Sequence, residues 1–312
     1  MTDLILHHYP QSPFAEKARL MLGFKGLSWH SVMIPAVMPK PDLTALTGGY
    51  RRTPVLQIGA DIYCDTALIA RRLEHEKAAP PLFPEGQEAV AASLAQWADS
   101  VLFQHGVAIN FQPQGLAARF AGMAKEVIQA FVSDRQALFK GGSAQPLEPA
   151  VAFSQWPVLL ARLETQLNRG SEFLLGNNAC IADFAHYHPL WFVTSNTALA
   201  DALHDYPALR AWMARMADFG HGAFNALDSA EAVKIAADSQ PSSQQFGAFF
   251  SPSGLAVGQR VSISAVDYGC DPVEGELVHE ALDELVIARD DERAGRVHVH
   301  FPRVGFRIQA IQ

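Results

Sequence analysis

The chain has 312 residues, enough for two or three domains, and 49% of them are apolar, enough for real cores. Its net charge of -8 argues against nucleic-acid binding, which needs a basic footprint. The cysteines Cys64, Cys180 and Cys270 form no C-x-x-C pair and predict free thiols in a reducing compartment. No basic-then-apolar leader and no membrane-length apolar run is evident, so a cytoplasmic protein without a membrane partner is expected.

The first 78 residues read as alternating strand and helix. Leu4 to His8 is an apolar strand, and Pro13 to Phe24 a helix whose N-cap is Ser12, with Pro13 where a missing N–H costs nothing. Ser28 to Ile34 is a second strand, and Leu43 to Leu46 a short helix. Thr53 to Ile58 and Asp61 to Cys64 form a hairpin across Gly59-Ala60. Asp65-Thr66 then caps a helix from Ala67 to Glu74. A β-α-β unit followed by a β-β-α unit predicts a small α/β sandwich.

Two capped helix N-termini give this sandwich the makings of a site. Unpaired N–H groups and the positive end of the dipole favour an anion there, and would lower the pKa of a bound thiol from its free value of ~8.5. Pro54 cannot donate to a ladder and belongs at a strand start or edge; a cis bond there would turn the Thr53 backbone toward Ser12. Arg51, Arg52 and Lys40 add positive charge. Each feature alone reads as an ordinary cap or a solvated basic pair; the set in this order suits a ligand carrying an ammonium group and carboxylates.

These residues resemble a known family. Ser12 to Arg19 (S-P-F-x-x-K/R), Arg51 to Leu56 (R-R-T-P-V-L) and Asp65 to Ile69 (D-T-A-L-I) look like motifs of the thioredoxin-like domain of cytosolic glutathione transferases. The resemblance implies that Ser12 hydrogen-bonds the glutathione sulfur, with Tyr9 as the alternative hydroxyl. It implies that the Thr53 backbone, beside a cis Pro54, pairs with the cysteinyl part. Asp65 and Thr66 stand where a Glu-Ser pair usually holds the γ-glutamyl end, and Arg52 and Lys40 near positions that hold the glycine carboxylate. Asp65 is one methylene shorter than the usual residue, and position 12 is not the cysteine of a thiol transferase.

Pro80-Pro81 and Pro84 to Gly86 mark a linker. Residues 86–237 read as an all-helical domain. Helices are expected around Ala89 to Val101, Leu116 to Phe139, Trp156 to Leu167, Cys180 to Val193 and from Tyr206 onward. Leu174-Leu175-Gly176 followed by Ile181-Ala182-Asp183 is similar to a landmark of the family's second domain, where the aspartate sits in a buried capping box; Cys180 replaces the usual hydroxyl cap. The resemblance implies an acceptor pocket between the domains, lined by Phe103, Gln104, His105 and Phe111; Phe103 and Phe111 read also as core packing, Gln104 and His105 as surface groups.

After a polar linker, Asp238 to Gln245, Phe246, Phe249 and Phe250 are placed to pack back on the core. Five short strands follow, Gln259 to Ala265, Gly275 to Val278, Leu285 to Arg289, Arg296 to Phe301 and Gly305 to Ile311. They predict a small β module over 246–312, barrel-like or a rolled sheet, which the family resemblance does not reach. Val297, Val299 and Phe301 share one strand face and His298 and His300 the other. No third metal ligand at suitable spacing is visible, so no metal is expected.

The expectation is a glutathione transferase-like enzyme with no cofactor beyond glutathione as co-substrate, joining the thiolate to a hydrophobic electrophile. The family implies a homodimer. The alternative is a non-catalytic glutathione- or protein-binding protein that uses the β module.

Overall fold

The computed structural model describes residues 3–243 and 247–311. Gln244, Gln245 and Phe246, read above as linker end and a core-packing ring, lie outside them. The first strand, β1, spans Leu4–His8, and the helix α1 Pro13–Phe24. They are followed by β2 (Trp29–Met33), α2 (Pro41–Thr47), β3 (Val55–Ile58), β4 (Asp61–Cys64) and α3 (Thr66–Glu76). Every residue of β1, β3 and β4 is buried, as expected of strands covered on both faces. β1 runs parallel to β2 and antiparallel to β3, and β3 pairs antiparallel with β4. Gly59, at φ +60°, turns the β3–β4 hairpin where a side chain would be strained.

The helical part opens with α4 (Glu88–Trp97), a π-helical turn over Ala98–Leu102, and α5 (Phe103–Asn110). Next come α6 (Pro113–Arg119), α7 (Lys125–Leu138), α8 (Pro149–Leu167), α9 (Ile181–Thr194) and α10 (Pro207–Ala217). The single helix expected from Leu116 to Phe139 is two, because Gly122 takes a left-handed φ of +74° between α6 and α7. Helix α9 is the hub: all but two of its residues are buried, and it packs against α1, α4 and α5. Asp183 accepts from Leu174 N–H (2.9 Å), Cys180 N–H (3.0 Å) and Trp212 Nε1–H (3.0 Å), which fixes the start of that helix.

Within the span read as helical, Phe224–Ala226 is a strand, β5, parallel to β2. Helix α11 (Ser229–Ala237), capped by Asp228, then packs on α2. The C-terminal strands are β6 (Arg260–Ala265), β7 (Val273–Glu280), β8 (Glu284–Asp291), β9 (Gly295–Pro302) and β10 (Phe306–Ala310). They do not close into a barrel. Among the described residues all ten strands join one open sheet in the order β10-β6-β7-β8-β9-β4-β3-β1-β2-β5. The physical reason is the free edge of β4: β9 lies parallel along it, with Asp61 opposite His298 and Tyr63 opposite His300. A row of short strands and turns looks the same in sequence whether it closes on itself or extends a neighbour.

That pairing gives the N-terminal strands and the C-terminal module a common core. Ile5, Val55, Ile62 and Cys64 pack with Leu285, Ile287, Val297, Val299 and Phe301. Each fully buried Val, Leu, Ile or Phe contributes about 1.5–3 kcal/mol relative to exposure.

Candidate functional site

Ser12 is the N-cap of α1. Its Oγ accepts from Ala15 N–H at 3.2 Å, and the residue is only 3% exposed. With a lone pair engaged by the helix end, its O–H is the part left to donate. Tyr9, at the end of β1, is half-buried, and Lys40 Nζ lies 5.8 Å from the centre of its ring.

The Thr53–Pro54 peptide is cis. Lys40 Nζ donates to Thr53 Oγ1 at 3.2 Å and so ties the segment before α2 to this turn. Burial, followed by the nearby Arg135 and Arg51, pulls the Lys40 ammonium down to about 8, against the opposing pull of Asp134. Asp134 on α7 accepts from Arg51 at 2.9 Å and from Met38 N–H at 3.0 Å, so the helical part braces this side of the site.

Asp65 caps α3 with a φ of +73°, unusual for a residue with a Cβ, and its carboxylate accepts from Ala67 N–H at 3.0 Å. The next residue, Thr66, accepts from Lys17 Nζ at 3.2 Å. Lys17, fully buried on α1, also pairs with Asp99 at 2.6 Å, and Asp99 meets His188 Nε2 at 2.8 Å. Burial alone would raise the Asp99 carboxyl, but Lys17 and His188 hold it below its ordinary value. Lys17, Asp99 and His188 thus link both helix N-termini to the helical domain. The sequence motif contains Lys17, but nothing in it announces a partner 82 residues away.

Arg52 is engaged from the other side, by the C-terminal strands. Its guanidinium stacks 4.0 Å from the Tyr268 ring centre, donates from Nε to the Tyr268 carbonyl at 3.1 Å, and pairs with Asp267 and, at 3.5 Å, with Asp65. These groups surround a cavity of about 340 Å³. Arg52, Thr53, Pro54, Asp65 and Thr66 all line it, together with Phe14 and Lys17 of α1, and Asp267, Tyr268 and Phe306 form a third wall. Ser12 and Lys40 are not among its walls.

The residues expected in an acceptor pocket lie elsewhere on the helical side. Phe103 stacks edge-on against Phe14 with centroids 4.7 Å apart. His105 is buried, with ring nitrogens 2.8 Å from Val101 O and from Gln155 Oε1, which fastens α5 to α8. Phe111 packs among Phe131, Phe192 and the Arg119 guanidinium. None of the three lines the cavity.

Comparison with known proteins agrees with this architecture. The model described as glutathione S-transferase, N-terminal domain, matches residues 6–81, and that of the C-terminal domain residues 139–219. A GST-like protein from Pseudomonas syringae, of known crystal structure, is 50% identical, with 100% of each chain covered and a TM-score of 0.83. A glutathione S-transferase from Rhodospirillum rubrum F11 shares the fold at 19% identity and a TM-score of 0.50, over 69% of this chain and 87% of its own. A glutathione transferase from Populus trichocarpa does so at 14% identity and a TM-score of 0.50, over 69% of this chain and 93% of its own. Among curated proteins none matches the chain.

Proposed function

Because the chain belongs to the glutathione S-transferase family, we propose that it binds glutathione at the α1–α3 side of the cavity and transfers its thiolate to an electrophilic carbon. One observation carries this reading: the start of α1, the Thr53–Pro54 turn and the N-terminus of α3 line one cavity. Asp65 suits the ammonium of the γ-glutamyl end, and the α3 N–H groups and Thr66 its carboxylate. Arg52 and Lys40 suit the glycine carboxylate. Ser12 lies just behind the cavity wall, two residues before Phe14; in this reading its hydroxyl reaches the sulfur from there, and the α1 dipole favours the thiolate. Sulfur then forms the new bond to carbon while the leaving group departs with its electron pair; the thiol proton goes to solvent. A hydrophobic electrophile, a cytoplasmic setting and the family's homodimer belong to the same proposal. Among the described residues no helix is long and apolar enough to cross a membrane.

Ser12→Ala and Tyr9→Phe test the proposal. With a generic aromatic electrophile, Ser12→Ala should lower turnover and raise the pKa of bound glutathione, and Tyr9→Phe should do neither. The opposite pattern transfers the role to Tyr9; no change in either variant removes both hydroxyls from it.

A second reading rests on the C-terminal wall. Asp267 and Tyr268 occupy Arg52, so the cavity is partly closed on itself, as suits a protein that holds glutathione without turnover. Calorimetry with glutathione followed by a turnover assay separates the two: tight binding without turnover favours this second reading.

A further inference from the structure

The junction between the N-terminal sheet and the C-terminal module carries a polar cluster that the glutathione site does not use. On one face of the β4–β9 pair, Asp61 lies opposite His298, and His300 follows two residues along the same face. One ligand atom from each of Asp61, His298 and His300 falls within 4.8 Å of the others. Asp61 Oδ1 is 3.0 Å from His300 Nε2 and 3.8 Å from His298 Nδ1. Tetrahedral zinc with bonds near 2.0–2.1 Å sets its ligands about 3.3 Å apart, between these two separations.

The surroundings are those of a supported metal site. His300 Nδ1 lies 2.7 Å from the buried Glu284 Oε1, a carboxylate partner that fixes the ring and leaves Nε2 to face Asp61. Asp61 Oδ2 accepts from Ser242 N–H at 2.8 Å, which leaves Oδ1 toward the histidines. Among the described residues His298 Nδ1 is buried without a hydrogen-bond partner, although the side chain is 13% exposed and so reachable from solvent. Asp61, His298 and His300 each offer one ligand atom to the same spot, and His298 Nδ1 there has no hydrogen-bond partner among the described residues. One divalent ion would take Oδ1, Nε2 and Nδ1 together, while Glu284 holds the other ring nitrogen of His300.

We propose that Asp61, His298 and His300 bind a divalent transition ion of the zinc type, with water as fourth ligand, which ties β9 to β4. Two imidazoles and one carboxylate suit Zn²⁺ or Co²⁺ over Mg²⁺ or Ca²⁺, which prefer all-oxygen shells. The sequence shows only the H-x-H pair, because Asp61 comes from a strand 239 residues earlier.

The test uses the full-length protein, stripped with chelator and titrated with Co²⁺ and Zn²⁺. The expected result is one ion per chain, visible ligand-field bands of four-coordinate Co²⁺, and a Zn²⁺-dependent rise in melting temperature. His298→Ala, at the partly exposed ligand, should keep the fold by circular dichroism and weaken Zn²⁺ at least tenfold. Asp61→Asn serves as a second variant and should do the same. Absence of stoichiometric binding to the wild type, or equal affinity in a folded His298→Ala protein, would overturn the proposal.

Discussion

The Arg52 guanidinium, from the turn before β3, lies face-on to Tyr268, 4.0 Å from its ring centre, while Asp267 beside it takes one of its N–H groups. A residue proposed to bind glutathione is thus held by a module that begins some two hundred residues later. A ligand carboxylate that approaches Arg52 must compete with Asp267.

Asp267→Asn should therefore tighten glutathione binding. Removal of the competing charge frees the guanidinium, and charge-assisted contacts differ from neutral ones by enough to move KM several-fold. KM for glutathione should fall with kcat little changed. An unchanged KM would show that Arg52 does not meet the ligand.

Lys40 gives a pH signature. Its ammonium, pulled down to about 8 by burial, is charged below that pH and neutral above it. If it holds the glycine carboxylate, affinity for S-methylglutathione, which has no ionisable thiol, should fall as pH rises through 8. Lys40→Arg keeps its charge over this range and should flatten the profile. A wild-type affinity constant from pH 7 to 9 would remove Lys40 from the site.

Burial depresses several histidines, most strongly His7, to about 4, His8, to about 3, and His186, to about 4. His8 is built to be neutral: its Nδ1 is 3.0 Å from Arg19 Nη1, a pure donor, and its Nε2 meets Ser31 Oγ at 2.9 Å. The unfolded chain binds protons at these sites near pH 6.5, while the folded chain binds them only near 3–4. Stability should be level with respect to them above pH 6.5 and fall steadily as pH drops from 6.5 toward 4. Denaturant midpoints across this window, with His8→Gln showing a shallower slope, check it.

Asp183→Ala should be among the most damaging single changes in the helical domain. It strips partners from two backbone N–H groups and the Trp212 indole, all inside a packed core. Buried donors left unpaired cost about 1–3 kcal/mol each, so a loss of about 3 kcal/mol or more is expected. Thermal melting measures it, and a drop of only a degree or two would contradict this account of the helix start.

A chain stopped after Ser243 lacks β6–β10 and bares the apolar side of β4. It should aggregate or melt without a cooperative transition. A soluble truncation with wild-type melting behaviour would show that the shared core contributes little.

Local signals made much of the first 78 residues readable. β1, α1 and β4 fall at the expected residues because apolar runs, a Ser-Pro cap and a Gly turn each act within a few positions. The five Cterminal strands were likewise visible one by one. The expected barrel-like closure was wrong, since the pairing of β9 with β4 depends on which edge is free in three dimensions. β5, three exposed residues with no periodicity, left no trace, and the α6–α7 break turned on one glycine. In the site, Ser12 and Asp65 were legible as caps. Asp99, Asp267 and Tyr268 were not, because each acts on a residue more than 80 positions away.

The placement of β9 beside β4 has a consequence during synthesis. The two strands lie 239 residues apart at Asp61 and His300. At roughly 5–20 residues per second, a ribosome leaves that edge open for roughly 10–50 s before its neighbour emerges. Throughout that interval the nascent sheet presents unpaired N–H and C=O groups beside a bare apolar flank, so chaperone depletion should reduce the yield of this protein more than that of one whose sheet is complete at its first domain.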